Sequence, residues 1–477
     1  MLGRSDPQEQ LVIIGSLRRL IPDDHILARV DQVLDLSWLR EEVRGLYCAD
    51  NGRPSLDPEA AVRLMLGGFF AGIVHDRKLM REAQVNLALR WFARFGLDEE
   101  LPDHSSLTRL RQRWGAERFK KIFQRTVQAC IAAGLVDGET VHVDATLIRA
   151  DVSWRSVTAA HAQQVWQENA EEQEGPRTPG KGGRPRKKEA EPKKVSTTDP
   201  EATLATSQHD YHLEPSYKQH TAVDDRTGVV VDAEVTTGEA NEGRELLRQV
   251  ERVETLTGTR IEMLTADAGY AHGRNYQELE ERATVAVIPP QRESTRSRKI
   301  PLRRFKYDGR RQRVKCPRGC ELRRSSYDGT GWIYRARAKG CRGCPWQARC
   351  VSPSAVARTV KISAGYEALL RARRAHQRWS AAQRLAYQRH RWRVEGIHGE
   401  EKTQHGLRRA VRRGLWNVAI QVYLTAAVVN LKRLAAFLWL LWGLLACFWG
   451  RVMAQATSGA DNMLSQRERP FLPAHAA

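Results

Sequence analysis

The chain has 477 residues, 41% hydrophobic and 28% charged, a globular balance that excludes a collagen, a mucin-like stalk or a wholly disordered polypeptide and leaves room for roughly two to four domains. Lys and Arg outnumber Asp and Glu by 77 to 56, and the excess of +21 is concentrated: residues 291–414 hold 34 basic and 8 acidic side chains, a net of +26, so the remainder of the chain carries −5. A field of that sign faces nucleic acid or an anionic membrane surface, and composition alone does not choose between them. The eight cysteines are sparse, four of them (Cys316, Cys341, Cys344 and Cys350) fall within 35 residues, and MLGRSDPQEQ at the start carries no signal-peptide pattern, so a reducing, cytoplasmic location is expected.

Residues 1–135 read as an all-helical domain. Asp57-Pro58 is an N-cap followed by proline at the first helical position, and the apolar run Val62–Ile73 then supplies a core-facing helix. Ser105 or Ser106 can cap a second helix, which should bend near Gly115 and stop at Gly134. Its Arg109, Arg111, Arg113, Lys120 and Lys121 read either as a solvated face or as a DNA-end contact. At Thr140 the pattern changes: TVHVDATLI alternates and is rich in β-branched residues, so it reads as a strand with Asp144 near its end.

Residues 160–207 turn polar and read as a disordered basic insertion, within which GGRPRKK (Gly182–Lys188) is either an AT-hook-like arm or a solvated linker. Strands over Tyr217–Asp224 and Gly228–Thr236, a helix over Gly243–Leu256, a strand over Arg260–Asp267, a helix over Gly273–Arg282 and a strand over Thr284–Pro290 follow. The order β, β, β, α, β, α, β indicates a mixed α/β layer formed by residues 136–159 and 208–290. Asp224 and Asp225 read as turn residues and Asp232 as part of an exposed strand face.

Residues 291–378 read as a small basic β insertion. Its Arg303, Arg304, Lys306, Arg310, Arg311, Arg313 and Lys315, interleaved with Phe305 and Tyr307, suit phosphate contact, and Arg408 and Arg409 extend that footprint. Cys341 and Cys344 form a CxxC unit, Cys350 follows, and Cys316 or Cys320 lies upstream. Four thiolates around Zn²⁺ would staple this small module, the alternative being reduced cysteines that pack without metal. Cys48, Cys130 and Cys447 are scattered and read as structural. Residues 379–433 are helical and carry Glu395. Leu434–Gly450 has no charge, falls just short of the about 20 residues of a membrane span, and reads instead as a buried helix or an oligomer contact opening the C-terminal region 434–477.

Asp144 and Asp267 end strands, and Glu395 sits on a basic helix. Carboxylates delivered this way can hold two divalent ions, and hard oxygen ligands suit Mg²⁺ or Mn²⁺. On one helix face Arg391, Glu395, His398 and Lys402 recur at i−4, i, i+3 and i+7, a carboxylate flanked by cations. Glu400 and Glu401 point away from the Arg391 face. His398 reads as a packing residue at the helix surface.

VHVDAT around Asp144, LTADAGY around Asp267 and RWRVEGIHGEEK around Glu395 resemble the DDE transposases of bacterial insertion sequences, over about residues 23–433. Arg391, Glu395 and Lys402 keep the spacing of that family's Tyr-Arg-Glu-Lys signature. Gln388 stands at its tyrosine position, with Tyr387 one place away. The resemblance implies an RNase H-like core with a helical N-terminal domain and a β insertion. It implies Asp144, Asp267 and Glu395 as catalytic metal ligands for two Mg²⁺ or Mn²⁺ ions, and Arg391 and Lys402 as DNA contacts. The implied activity is cleavage at the terminal inverted repeats of an element and strand transfer into target DNA, by a homodimer on double-stranded DNA, with no membrane partner. A DNA-binding protein without activity, or an RNase H-like nuclease without strand transfer, would share most of these features.

Overall fold

The computed structural model describes residues 15–48, 55–153, 157–158, 195–205, 213–291 and 300–467. They fall into two compact units, one drawn from residues 1–70, 76–113 and 428–477, the other from residues 71–75 and 114–427. The AT-hook-like segment lies outside the described residues.

The first unit is helical: α1 (Ile26–Asp31), α2 (Leu39–Arg44), α3 (Pro58–Phe70), α4 (Asp76–Val85), α5 (Leu87–Phe92) and the opening turns of α6 (His104–Ala132). Asp57 caps α3, its carboxylate accepting from the Glu59 and Ala60 amides at 2.8 and 3.0 Å. Beyond that cap α3 is buried nearly all round, and it tolerates Arg63 inside only because Asp31 and Glu59 pair with it at 2.6 and 2.8 Å. Asp103, and not either serine, caps α6: it accepts from the Ser105 amide at 2.8 Å, and Ser105 holds its carboxyl down to about 2. The bend falls at Gly115 (φ 68°, ψ 174°), and Gly134 (φ 72°) follows the helix end. The basic face of α6 is only partly solvated. Arg111 is buried against Asp76, Arg113 lies over the Tyr47 ring, and Lys120 pairs with Glu234 within the second unit, leaving Arg109 and Lys121 exposed.

The second unit holds the mixed sheet. β1 (Thr140–Arg149) pairs antiparallel with β3 (Glu214–Asp224) and parallel with β5 (Met263–Ala266). β3 pairs antiparallel with β4 (Val230–Thr237), and β5 pairs parallel with β6 (Val285–Val287). The spatial order β4-β3-β1-β5-β6, three antiparallel strands followed by two parallel ones, is that of an RNase H-like core. A further strand, β2 (Thr203–Ala205), pairs with the start of β3 beside β4. The end of the expected disordered insertion is thus ordered, and Asp199 is buried there as acceptor for the Tyr217 hydroxyl at 2.5 Å. Helices α7 (Glu242–Thr257) and α8 (Gly273–Glu281) make the crossovers, α7 opening at Asn241, whose side chain accepts from the Gly243 amide. Asp232 is not on an exposed face: it is 4% exposed and bound to Arg252 through two contacts of 2.9 Å. Asp224 does hold its turn, accepting from the Gly138 and Arg226 amides.

A second, antiparallel sheet follows, in the order β11-β10-β9-β8-β7, from β7 (Lys306–Asp308), β8 (Arg313–Lys315), β9 (Glu321–Tyr327), β10 (Gly331–Ala336) and β11 (Thr359–Ser363). It is two-faced. Phe305, Val314, Leu322, Tyr334, Val360 and Ile362 turn into its core while Arg304, Lys306, Arg313 and Lys315 turn outward. Phe305 therefore packs inward instead of standing among the basic groups. Helices α9 (Tyr366–His376), α10 (Ala381–His390), α11 (Gly396–Gln404) and α12 (Leu415–Arg467) complete the order, with a π-turn over Arg391–Glu395 joining α10 to α11. Up to Ala427, α12 is largely buried in the second unit. Its stretch Leu415–Trp449 is long and apolar enough to cross a membrane by length and composition, and Trp439, Trp442, Phe448 and Trp449 are exposed on it.

Candidate active site

Period-two alternation on β1 sends His142, Asp144 and Thr146 to one face of the sheet, and the strand register places Thr265, Thr221 and Gln219 beside them. The α10–π–α11 helix is bound to this face along a polar line. His390 Nδ1 lies 2.9 Å from Thr265 Oγ1, which is 2.6 Å from His142 Nδ1. Farther along, His398 Nε2 lies 3.1 Å from Thr221 Oγ1, Gln219 donates to both oxygens of the buried Glu401, and Lys402 donates to Thr146 at 2.5 Å. His398 is thus not a surface packing residue. Burial drives its ring down to about 3, so it is neutral where it stands 4.0 Å from the Asp144 carboxylate.

Val143 and Ala266 are the last paired residues of the parallel β1–β5 ladder, so Asp144 and Asp267 follow side by side on adjacent strands. Asp267 leaves the sheet and opens a 3₁₀ turn, its carboxylate accepting from the Gly269 amide at 2.7 Å. Glu395 comes from the π-turn above. It is 62% exposed, and Arg391 donates to it at 3.3 Å. Asp144 has only 22% of its side chain exposed, and burial first, then the charges of Asp267, Glu242 and Glu395, push its carboxyl up to about 7. The three acids named from the sequence therefore share one electrostatic neighbourhood, centred on a carboxyl whose ion-pairing neighbour is a neutral imidazole. Among the described residues no group of three or more His, Cys, Asp or Glu side chains is set to hold a metal ion. The acids stand near one another, with Glu395 held by Arg391 and Asp267 by the Gly269 amide.

The spacing argument placed Arg391, Glu395, His398 and Lys402 on one face. The helix divides them: Arg391 and Glu395 face outward while His398 is buried and Lys402 is held against β1, where burial lowers its ammonium. His398 and Lys402 are drawn to the sheet by Thr221 and Thr146, while Glu395 lies at the end of the π-turn over Arg391–Glu395, which takes about one extra residue per turn. The same extra residue accounts for Tyr387. With one residue absorbed between it and Glu395, Tyr387 faces where a straight helix would present residue 388, and Asp267 and Asp144 join burial in raising its hydroxyl. Its ring is stacked on His390, centroids 6.0 Å apart.

Arg303 and Arg304 form an exposed 3₁₀ turn leading into β7, and Arg408 and Arg409 are exposed after α11, Arg409 pairing with Asp151 at 3.0 Å. Cys316, Cys320, Cys341, Cys344 and Cys350 line one apolar pocket of the small sheet and are all free thiols. Two tight turns present them: the Cys316 amide donates to the Cys320 carbonyl at 2.8 Å, and the Cys344 amide to the Cys341 carbonyl at 3.3 Å. The neighbouring Cys316 raises the Cys320 thiol, and burial raises that of Cys350.

Sequence reasoning passed over Glu242 and Tyr270. Glu242 opens α7, where an acid is ordinary helix-terminus chemistry, and no motif marks it. Tyr270 follows Asp267 within LTADAGY and reads as a core aromatic.

Two family models match the chain: a transposase domain (DUF772) over residues 15–113 and a transposase DDE domain over residues 315–435. No curated protein matches it in sequence. Among solved structures it is similar to piggyBac transposase in a synaptic complex with hairpin DNA, at 9% identity and a TM-score of 0.31, over 86% of this chain and 72% of that one. It is also similar to Mos1 transposase in a paired-end complex with the left transposon end and in a pre-cleavage transpososome. Each of these is at 11% identity and a TM-score of 0.16, over 52% of this chain and 65% of that one.

Proposed function

We propose that the chain is a DDE transposase, a phosphoryl-transfer enzyme of a kind that generally uses divalent metals, which cuts DNA at the ends of an insertion sequence and joins them to target DNA. The observation that carries this reading is the convergence of the Asp267 and Glu395 charges on the buried Asp144 carboxyl, a site built from hard oxygen donors. Asp144, Asp267 and Glu395 would hold Mg²⁺ or Mn²⁺, and the bound ions supply Lewis acidity toward the scissile phosphate and a lowered pKa for the attacking water.

The remaining work belongs to the protein. The neutral His398 keeps Asp144 free of a competing salt bridge, and Lys402 places a cation beside β1. In the first reaction a water oxygen bonds to phosphorus as the P–O3′ bond breaks and the departing 3′ oxygen takes a proton. In the second the freed 3′-hydroxyl attacks a target phosphate, and the leaving oxygen again accepts the proton. The exposed Arg303, Arg304, Arg391, Arg408 and Arg409 would neutralise backbone phosphates. A dimer would bring two ends together, and the small sheet would carry a structural Zn²⁺ on four of its five clustered thiolates.

The deciding experiment incubates labelled terminal-repeat DNA with the protein and Mg²⁺. Cleavage and joined products are expected, with Asp144→Ala, Asp267→Ala and Glu395→Ala each abolishing both while retaining DNA binding. A variant of any of the three that still cuts at wild-type rate would remove that residue from the centre. Cutting without joining would identify a nuclease instead.

A further inference from the structure

We propose that Glu242 is a fourth carboxylate of the divalent-cation centre, held off by Lys218 until a cation displaces it. The inference rests on the reading above, and three observations carry it. First, Glu242 reaches the site from the start of α7, on a different element from the other acids. A Cβ built on Gly269 would meet Glu242 Oε2 at 3.0 Å and Asp267 Oδ1 at 2.9 Å, so the two carboxylates flank a single point beside the turn that follows β5. Its charge also acts on Asp144.

Second, Glu242 is already paired with a cation. Lys218 Nζ lies 3.0 Å from Glu242 Oε1 and donates to the Ala240 carbonyl at 2.8 Å. Lys218 is on β3 opposite Leu147, so it lies on the sheet face away from Gln219 and Glu401, and approaches the acids from the α7 side. With 12% of its side chain exposed, it is a cation brought into a partly dry site to balance one of several crowded carboxylates.

Third, the centre contains a polar group with nothing to bind. Tyr270 is fully buried, its hydroxyl has no hydrogen-bond partner among the described residues, and Asp144, Glu242, Asp267 and Glu245 are the charges that surround it. A buried unpaired hydroxyl costs roughly 1–3 kcal/mol. It would be relieved by a carboxylate, or by a water on a bound cation, moving into reach.

Glu242 and Lys218 form one salt bridge, and that gives the test its sign. If the bridge were only a structural tie for α7, removing either partner would have the same effect. If Lys218 stands in for a cation and Glu242 is a ligand, the two removals act oppositely. Mn²⁺ alone is titrated into the full-length protein without DNA, and free Mn²⁺ is read by electron paramagnetic resonance. Glu242→Gln is expected to weaken binding at least tenfold and Lys218→Met to tighten it severalfold. The inference is overturned if both variants shift affinity in the same direction, or if Glu242→Gln binds as the wild type does. Should Glu242→Gln not fold, Lys218→Met answers alone, since unchanged or weakened binding there removes the competition. Asp144→Asn separates this inference from the one beneath it. If Asp144→Asn also binds normally, the metal centre itself is wrong. If it loses Mn²⁺ while Glu242→Gln does not, only the fourth ligand fails.

Discussion

Asp144 concentrates the energetic tension of the protein in one carboxyl. Its folded value, about 7, lies above the ordinary 3.8, so between those limits the native state binds a proton that the unfolded chain has released. Stability from this group is present at about pH 4, is lost as pH rises through 7, and is level above that. The loss is worth ~4 kcal/mol at most. Asp144→Asn cannot ionise and escapes it. In EDTA at pH 8 this variant should melt several degrees above the wild type by calorimetry, and the gap should close toward pH 4. A variant that melts lower at pH 8 would mean the carboxylate is satisfied by the protein as it stands. Asp267 leaves a strand end, as its β-branched run predicted, whereas Asp144, expected near the end of its strand, lies in the middle of β1 opposite Thr221, because pairing with β3 carries the strand on to Arg149. Glu242 was not legible in the sequence, because its importance comes from Lys218 and Gly269, which lie elsewhere in the chain and reach it only through the fold.

Glycine backbones are where the elements are least replaceable. Gly115 kinks α6 at φ 68° and ψ 174°, a region open essentially to glycine, yet a Cβ there would touch nothing within 4 Å. Gly115→Ala should therefore cost the backbone strain alone, about 1–3 kcal/mol in denaturant unfolding. Gly365, before α9, combines φ 70° with a Cβ position 2.1 Å from the Gly273 carbonyl oxygen, so Gly365→Ala must also part α9 from α8 and should cost clearly more. Equal losses would show that the close approach of those two helices contributes nothing. The kink was predictable from a lone glycine inside a helical run. The π-turn was not, and neither were the burial of His398 and the seating of Lys402, which come from Thr221 and Thr146 on strands far away in the chain. The effect of the turn on Tyr387 is the useful one, since a π-turn shifts the phase of the residues before it relative to Glu395. The small sheet makes its own prediction. Protein purified without chelator should carry about one zinc per chain by elemental analysis, and Cys341→Ser with Cys344→Ser should lose it. Metal-free wild-type protein would leave these thiols as reduced packing residues.

Across the whole molecule, charge and order of assembly matter most. With a net of +26 between residues 291 and 414, DNA affinity should fall steeply with salt, linearly on logarithmic axes. Arg408→Ala with Arg409→Ala should flatten that slope by about one to two phosphate contacts' worth and weaken all sequences alike. A selective loss for terminal repeats would assign these arginines to base reading instead. The basic half was plain from composition, but which cations face outward was not: Arg111 and Lys120 seemed free in the sequence and are engaged with Asp76 and Glu234. Glu395 follows the entire small sheet in the chain, long after Asp144 and Asp267 have been made and folded into neighbouring strands. A ribosome part-way through this message therefore holds a polypeptide that has the two strand-borne acids and not yet the helix-borne one. Under the proposed function, strand cleavage would wait for translation to pass Glu395, and a chain stopped before it would lack the third of the proposed metal ligands.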